Sequence, residues 1–549
     1  MNNNQVEKHE SNFSNKRIIT SLILIGIFAI LLRIYFGNFE IPIISDSFGY
    51  FLYAIDISIN SQLPNNYSIG NNGWPIFLSS IFSIFEFDTV LDYMQTQKIL
   101  TIILSTLTII PIYFLCRNFF NNKLSLIGTI IFAFEPRIIL NSSLGITEPL
   151  YILLGTTVLV FFLSDNKKLI YASFAVSAFV SMIRTEGIFL FLAISIIFII
   201  RFRKDKIVIP KYFLVLVIFV LILLPMANYR VETMGHDGLS QRIINGIQGH
   251  ILGSNEFSEK HLEEIGNNTK EKFFVNGAEN FTRYLVWDLI PIFIFFVPIG
   301  IFFVFKNLDF KKGTIISCMI LMSIPTFYIF SIPLEDTRYF FFLYPLFSVI
   351  SLFTINKFQS YFKNQNKILT IIIFGIIFSS IIFLQFKSID NEHEHDAFQI
   401  SQILLKSEMT INEYSPESQY LEVANIPNDF LIFESYFTKE REKGISIRDS
   451  IPQKISVISP NNYSSLFEFI QENQKNGLTH VVVDDKMNRK SFLKDVFENE
   501  SNYEYLIKEF DSNKIGFSYH VKLFKIDYDI LNKLKWTYHA SLYLRLKNF

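Results

Sequence analysis

Long apolar runs recur along the chain, at about 18–36, 99–116, 124–140, 149–163, 169–183, 187–202, 211–228, 285–305, 313–333, 339–356 and 368–386. They are built of Ile, Phe and Leu, lack the two-residue alternation of a half-buried strand, and approach the roughly 20 residues that a helix needs to cross a bilayer. Eleven transmembrane helices are therefore predicted. Two connections are long, from 37 to about 98 and from about 229 to 284. After residue 386 the pattern changes. Ser465 and Glu468 form a capping box that opens an amphipathic run ending at Asn476-Gly477,. The solid apolar segment His480-Val481-Val482-Val483 follows at once, and Ile432-Phe433, Ile455–Ile458 and Val521–Ile526 add strand candidates. A continuous apolar strand after a helix predicts a parallel sheet covered on both faces. The predicted fold is a polytopic α-helical membrane protein: a tail at 1–17, a transmembrane body at 18–386, and a C-terminal α/β domain at 387–549.

Charge orients this layout. Arg117 and Lys123, Lys167 and Lys168, Arg201, Arg203, Lys204 and Lys206 all fall in one alternate set of loops. Lys306, Lys311, Lys312, Lys357, Lys363 and Lys367 continue that set. By the positive-inside rule these loops and the N-terminal tail are expected in the cytoplasm of a multi-pass cell-membrane protein. An odd number of spans then puts the C-terminal domain on the extracytoplasmic side. Glu40, Asp46, Asp56, Glu86, Asp88, Glu148, Glu335 and Asp336 gather in the opposite loops. Arg33 near the end of the first run, with no small-residue cleavage site after it, predicts a permanent first span.

Composition agrees. Of 549 residues 50% are hydrophobic and only 18% charged, against about 25% charged in soluble domains, and mean hydropathy is +0.32. With a formal net charge of -1 and no basic domain, nothing supplies the counterion release that drives nucleic-acid binding. Cys116 and Cys318 lie in apolar runs and read as small buried residues. The string His393-Glu394-His395-Asp396 places two histidines at i,i+2, which do not share a helical face, and reads as a solvated linker.

Candidate chemistry crowds on the predicted outer side. Asp46 opens an amphipathic stretch in Ile44-Ser45-Asp46-Ser47-Phe48-Gly49-Tyr50, where it is either a helix N-cap or a reactive carboxylate at the edge of the hydrocarbon layer. Glu148, in Thr147-Glu148-Pro149, sits at the start of the fourth span. Arg184 and Glu186, in Arg184-Thr185-Glu186-Gly187, occupy a short outer turn, and Arg338-Tyr339 opens the tenth span. Arginines on that side run against the positive-inside bias, which favours an anionic ligand, with snorkelling to lipid phosphates as the competing account. Glu135-Pro136-Arg137 is a further candidate and could be an internal ion pair.

Five short motifs in this order resemble the GT-C glycosyltransferases: Asp46 with Tyr50 and then Gly73-Trp74-Pro75 in the long first loop, Glu135-Pro136-Arg137, Thr147-Glu148-Pro149, Arg184-Thr185-Glu186-Gly187, and Arg338-Tyr339. More narrowly the chain is similar to the branch that uses polyprenyl-phosphate sugars, with protein O-mannosyltransferases and the lipid A aminoarabinose transferase. The resemblance covers about residues 18–386. It departs in two places. Many relatives carry two adjacent acids in the first loop, whereas Ser47 follows Asp46 here. No Trp-Trp-Asp motif of the oligosaccharyltransferase kind exists, since Trp74, Trp287 and Trp536 are isolated, which argues against transfer of a whole oligosaccharide to asparagine.

The resemblance implies an inverting transfer of a sugar from a dolichyl or undecaprenyl phosphate to a glycan, lipid or protein acceptor. Asp46 would be the base. Glu148 would orient the sugar or, with Asp46, hold Mg²⁺ or Mn²⁺. Arg184 and Arg338 would bind the phosphate, and Tyr50, Arg137 and Glu186 complete the candidate donor set. The alternatives are a secondary transporter, an O-antigen-type ligase or polymerase, and a non-catalytic receptor or assembly subunit. The transporter would place its charges near the midplane and show internal repeats, neither of which the sequence displays. Asp484-Asp485, after the apolar strand, is the one suggestive acidic pair of the C-terminal domain, which otherwise lacks a phosphate loop or nucleophile signature.

Overall fold

In the computed structural model, residues 15–64, 72–85, 87, 89–238, 270–306, 308–331, 336–404, 409–412, 455–486 and 490–533 are described. They fall into two compact units. The first comprises Met1–Gly37, Asp46–Glu86 and Met94–Phe386; the second comprises Asn38–Ser45, Phe87–Tyr93 and Lys387–Phe549. Two short pieces of the first long connection thus belong to the unit that contains the C-terminal residues.

All eleven apolar runs become helix. In chain order the first unit contains α1 (Asn15–Tyr35), α2 (Ser45–Asn60), α3 (Gly73–Phe82), α4 (Val90–Leu107), α5 (Ile109–Arg117), α6 (Asn122–Ala133), α7 (Pro136–Ser142), α8 (Glu148–Leu163), α9 (Lys167–Ile183), α10 (Gly187–Phe202) and α11 (Val208–Met234). Then come α12 (Lys270–Leu289), α13 (Val297–Lys306), α14 (Phe310–Ser331), a 3₁₀ segment at Thr337–Leu343, α15 (Tyr344–Gln359) and α16 (Gln365–Leu404). Among the described residues six helical stretches are long and apolar enough to cross a membrane, or seven when the bent pair α6–α7 counts as one. α8, α10 and α13 are apolar but shorter. Outward-facing Ile19, Ile23, Phe28 and Leu31 on α1 and Phe374, Phe378 and Ile382 on α16 remain exposed in the protein, as side chains solvated by lipid do.

Besides the division of 99–116 between α4 and α5 and the 3₁₀ start of 339–356, two further predicted spans are not single helices. The run at 124–140 bends by 55° between α6 and α7, where Glu135 is extended and Pro136, lacking an N–H, starts the second piece,. The run at 285–305 is divided between the end of α12, a 3₁₀ turn at Phe293–Phe295 and α13. Arg33 is wholly buried. Its guanidinium donates to Ser105 Oγ and to the carbonyls of Ala29 and Ala133, at 3.0–3.2 Å, so it ties α1 to α4 and to the end of α6.

The second unit is built on β1 (Met409–Asn412), β2 (Ile455–Ile458), α17 (Leu466–Asn473), β3 (His480–Asp484), α18 (Ser491–Glu498), β4 (Leu506–Asp511) and β5 (Val521–Ile526). β1 and β2 pair in parallel. The strand on which the parallel reading rested does not: β3 pairs antiparallel with β5, which pairs antiparallel with β4. Strand β3 is apolar because both of its faces are covered, with Val481, Val482 and Val483 buried among Phe469, Leu493, Val496 and Phe524, and coverage does not require parallel neighbours. Ser465 caps α17 by accepting from Glu468 N, while the Glu468 carboxylate returns to Ser464 and not to Ser465. The strand candidate Ile432-Phe433 lies outside the described residues. The His393–Asp396 string is not a linker but part of α16; Asp396 accepts from Ser518 N, Ser518 Oγ and Tyr519 N at 2.6–3.1 Å, and His395 meets Glu40 at 3.1 Å.

Candidate active site

Four breaks between helices of the first unit converge. The first is the start of α2, where Ser45 has a φ of 55°, a left-handed backbone unusual for a side-chain-bearing residue. Asp46 follows inside the first turn. Its carboxylate is 62% exposed and meets Arg338 Nη2 at 3.2 Å, so the N-cap account of Asp46 gives way to an ion pair. The second is the start of α8, where Thr147 holds the cap position without a cap hydrogen bond and donates instead to Glu148 Oε2 at 3.3 Å. Glu148 is only 2% exposed.

The third is the turn between α9 and α10. Arg184 ends α9 in extended geometry, and Gly187 N returns to Arg184 O at 2.9 Å. A Cβ at Gly187 would lie 2.6–2.8 Å from the backbone of Val180 and Ser181, so only glycine lets the chain reverse this tightly. Arg184 Nη1 donates to Glu148 Oε1 and Nη2 to Glu186 Oε1 at 2.8 Å. Burial works against the Arg184 charge, but Glu186 and Glu148 outweigh it and hold the guanidinium protonated well above its ordinary value,. The fourth is the 3₁₀ segment after α14. Asp336 caps it by accepting from Arg338 N at 2.9 Å and grips the same residue's guanidinium at 2.6–3.0 Å.

Small and amide residues bring the breaks together. A Cβ on Gly155 would lie 2.2 Å from the Phe342 ring, so this glycine lets α8 approach the segment that carries Arg338. Buried Gln97 donates to Ser47 O at 3.1 Å and Gly145 O at 2.6 Å, which joins the start of α2 to the stretch that leads into α8. The result is a cleft of about 290 Å³, counting the part open to solvent, lined by Glu148, Arg184, Glu186 and Arg338, by the aromatic rings of Tyr151, Tyr339 and Phe342, and by Met322, Pro325 and Thr326. Arg184 lies 5.0 Å from the Tyr339 ring and 5.9 Å from the Tyr151 ring.

Of the residues singled out in the sequence, Glu148, Arg184, Glu186 and Arg338 line this cleft, and Asp46 is tied to it through Arg338. Tyr50 lies buried one turn beyond Asp46 on α2 and does not line it. Arg137 is elsewhere. It is buried between Glu135, at 3.7 Å, and Asp288, at 3.3 Å, and donates to the carbonyls of Trp287 and Ile290, which makes it an internal ion pair and removes it from the donor set. Asp336 pairs with Arg338, as one of the two acids before it was expected to if that arginine were structural, whereas Gln97, Asp288 and Tyr151 were not anticipated in these roles. An acid two residues before Arg338, at a helix start, was a cap signal, and Tyr151 stands three residues after Glu148 on the same helical face.

A metal fits this arrangement poorly. Asp46 and Glu148 each face a guanidinium, and among the described residues no three His, Cys, Asp or Glu side chains gather around a common point. A cation there would have to displace an arginine.

No protein-family model and no curated protein matches the sequence. Solved structures do match. The oligosaccharyltransferase of Archaeoglobus fulgidus, tethered to an acceptor peptide with an NVT sequon, aligns at 13% identity over 92% of this chain and 74% of its own, with a TM-score of 0.55. The same enzyme in complex with Zn and sulfate aligns at 13% identity over 90% and 72%, with a TM-score of 0.53. ArnT from Cupriavidus metallidurans, bound to undecaprenyl phosphate, aligns at 9% identity over 93% and 98%, with a TM-score of 0.49. At these identities the likeness is one of fold: the chain shares with the Archaeoglobus fulgidus oligosaccharyltransferase a helical body with a C-terminal α/β region.

Proposed function

We propose that the chain is an inverting membrane glycosyltransferase that moves a sugar from a polyprenyl phosphate to a glycan, lipid or protein acceptor on the extracytoplasmic side. The observation that carries this reading is the convergence of Asp46, Glu148, Arg184, Glu186 and Arg338, which are scattered through almost 300 residues of sequence, on one cleft of a GT-C fold. A transporter or a receptor subunit has no need of an exposed carboxylate beside an arginine at the rim of a mixed polar and aromatic cleft.

The acceptor hydroxyl gives its proton to the Asp46 carboxylate, and its oxygen attacks the anomeric carbon. The bond from that carbon to the phosphate oxygen breaks, and its electron pair leaves with the polyprenyl phosphate. Because attack and departure occur on opposite faces, configuration inverts. Asp46 is suited to the first role because its carboxylate is exposed and turned to the cleft-lining Arg338,. Arg338 and Arg184 balance the charge that grows on the leaving phosphate. Glu148 and Glu186, immobilised on Arg184, offer oxygens to the hydroxyls of the sugar. The polyprenyl chain lies against the apolar helices, the N-terminus is cytoplasmic, and residues 387–549 assist acceptor access without taking part in bond breaking. Mg²⁺ or Mn²⁺ has no step here.

Mass spectrometry of surface glycoconjugates tests the proposal, comparing cells that carry the gene, lack it, or carry it with Asp46→Asn. Loss of one defined sugar in the latter two is expected. An unchanged glycan profile in the cells that lack the gene sinks the reading.

A further inference from the structure

Tyr151 is buried and lines the cleft, yet its hydroxyl has no hydrogen-bond partner among the described residues. It is the one cleft-lining side chain with a buried polar atom left in that state. Buried hydroxyls are almost always paired, because an unpaired one forfeits its water without compensation. Its ring is held in place by Phe342, with centroids 5.2 Å apart, and by the Arg184 guanidinium at 5.9 Å. α8 fixes it one turn beyond Glu148. A phenol so fixed, without a partner in the protein, is placed to receive one from a ligand.

The surroundings say which kind. Arg184 and Arg338 line the same cleft beside Glu148 and Glu186, and under the proposed function the guanidiniums are the groups that face the phosphate while the carboxylates face the sugar. Arg184 already donates to Glu148, Glu186 and Thr147, and Arg338 to Asp336 and Asp46. An arriving phosphate therefore shares each guanidinium with carboxylates that already hold two of its three nitrogens. The Tyr151 O–H is a donor that has not been spent in this way. Met322, Pro325 and Phe342 line the same cleft, and apolar walls raise the worth of each donor. We infer that Tyr151 is a further donor-binding residue, whose hydroxyl hydrogen-bonds an oxygen of the polyprenyl phosphate. This rests on the reading of the cleft as the site of a lipid phosphate and adds a residue to it.

The test uses the full chain in lipid nanodiscs, titrated with undecaprenyl phosphate and with dolichyl phosphate, neither of which carries a sugar. Tyr151→Phe removes only the hydroxyl and keeps the ring. The expected result is a dissociation constant raised about ten- to a hundredfold, the range for a lost hydrogen bond to a charged group, with a lipid-free melting temperature equal to or above that of the parent. Parental affinity in the variant overturns the role of Tyr151 while leaving the proposed function standing. If the parent binds neither lipid, the reading of the cleft itself fails, and the inference with it. A Tyr151→Phe chain that melts markedly lower without lipid also overturns the inference, because it shows that the hydroxyl already has a structural partner.

Discussion

Two guanidiniums of the helical unit keep the same company, each lying between two carboxylates, and differ in how much water reaches them. Arg184 stands between Glu148 and Glu186, with 11%, 2% and 18% of the three side chains exposed. Arg338 stands between Asp336 and Asp46, where the last is largely in solvent. Low dielectric makes the first set strong and unforgiving: its charges cannot be solvated separately, so loss of one partner strands the others. The second set is screened and can part from Asp46 cheaply. The proposed transfer needs both kinds, one to hold a sugar still and one whose carboxylate can take up a proton. The difference between them is set by burial and not by residue type.

The comparison breaks most readily at Arg184. Arg184→Ala leaves Glu148 and Glu186 facing each other without a counter-charge, and should cost about 3–5 kcal/mol of stability. The check is the yield and melting temperature of the chain in detergent. Arg184→Met combined with Glu148→Gln and Glu186→Gln should restore most of that stability and none of the transfer activity, because all three charges are removed along with the proposed phosphate contact. If Arg184→Ala melts like the parent, the two sets are energetically alike and the contrast collapses.

Next in size is Asp46→Asn. It retains shape and removes the base, so turnover should fall at least ~10²-fold, about 2.7 kcal/mol of barrier at 1.36 kcal/mol per decade. Melting temperature should hold, as expected for a solvated partner. Transfer at the parental rate in membranes would leave Asp46 as no more than a surface ion pair. Arg338→Lys is a smaller perturbation. The charge stays and the fork is lost, so apparent donor affinity should weaken about tenfold, with a further drop for Arg338→Ala and little change in stability. Equal loss of protein in both variants would mean that the Asp336 cap carries structural weight after all.

The helical runs and the candidate charges were legible in the sequence because hydropathy and motif order are local properties. The pairings were not. Whether Asp46 caps its own helix or reaches Arg338, 292 positions away, depends on where the 3₁₀ segment comes to rest, and that depends on Gly155 and Phe342. Likewise Arg137, four residues after the end of α6, reads like any other arginine near a helix end until the bend at Glu135 turns it towards Asp288. Parallel or antiparallel pairing of β3 could not be read from Val481–Val483, since either partner leaves both faces covered. The polar string His393–Asp396 hid a helix because its register shows only beyond it, in buried Ala397, Ile400 and Leu404 at helical spacing.

The smallest effect belongs to a pair that reproduces the asymmetry of Asp46 and Arg338 in a group that titrates near neutrality. His480 on β3 is nearly buried, with 9% of its side chain exposed, and its partner Glu509 on β4 is 42% exposed at 3.1 Å. Burial lowers the His480 pKa; Glu509 pulls it up and Lys525 adds to the lowering, and the net direction is down. A histidine whose folded pKa lies below its unfolded value contributes stability above the unfolded value, about 6.5, and loses it as pH falls through the folded one. Acidification from pH 8 to pH 5 should therefore lower the hydrogen-exchange protection factors, taken relative to the intrinsic rate at each pH, at the amides of 480–484 and of 521–525, their partners in β5. His480→Gln should flatten that dependence and leave Asp46-dependent transfer at neutral pH unchanged. Higher protection factors on acidification would mean that Glu509 outweighs burial, and that exposure of one partner does not weaken an ion pair in this protein as the contrast between Arg184 and Arg338 requires.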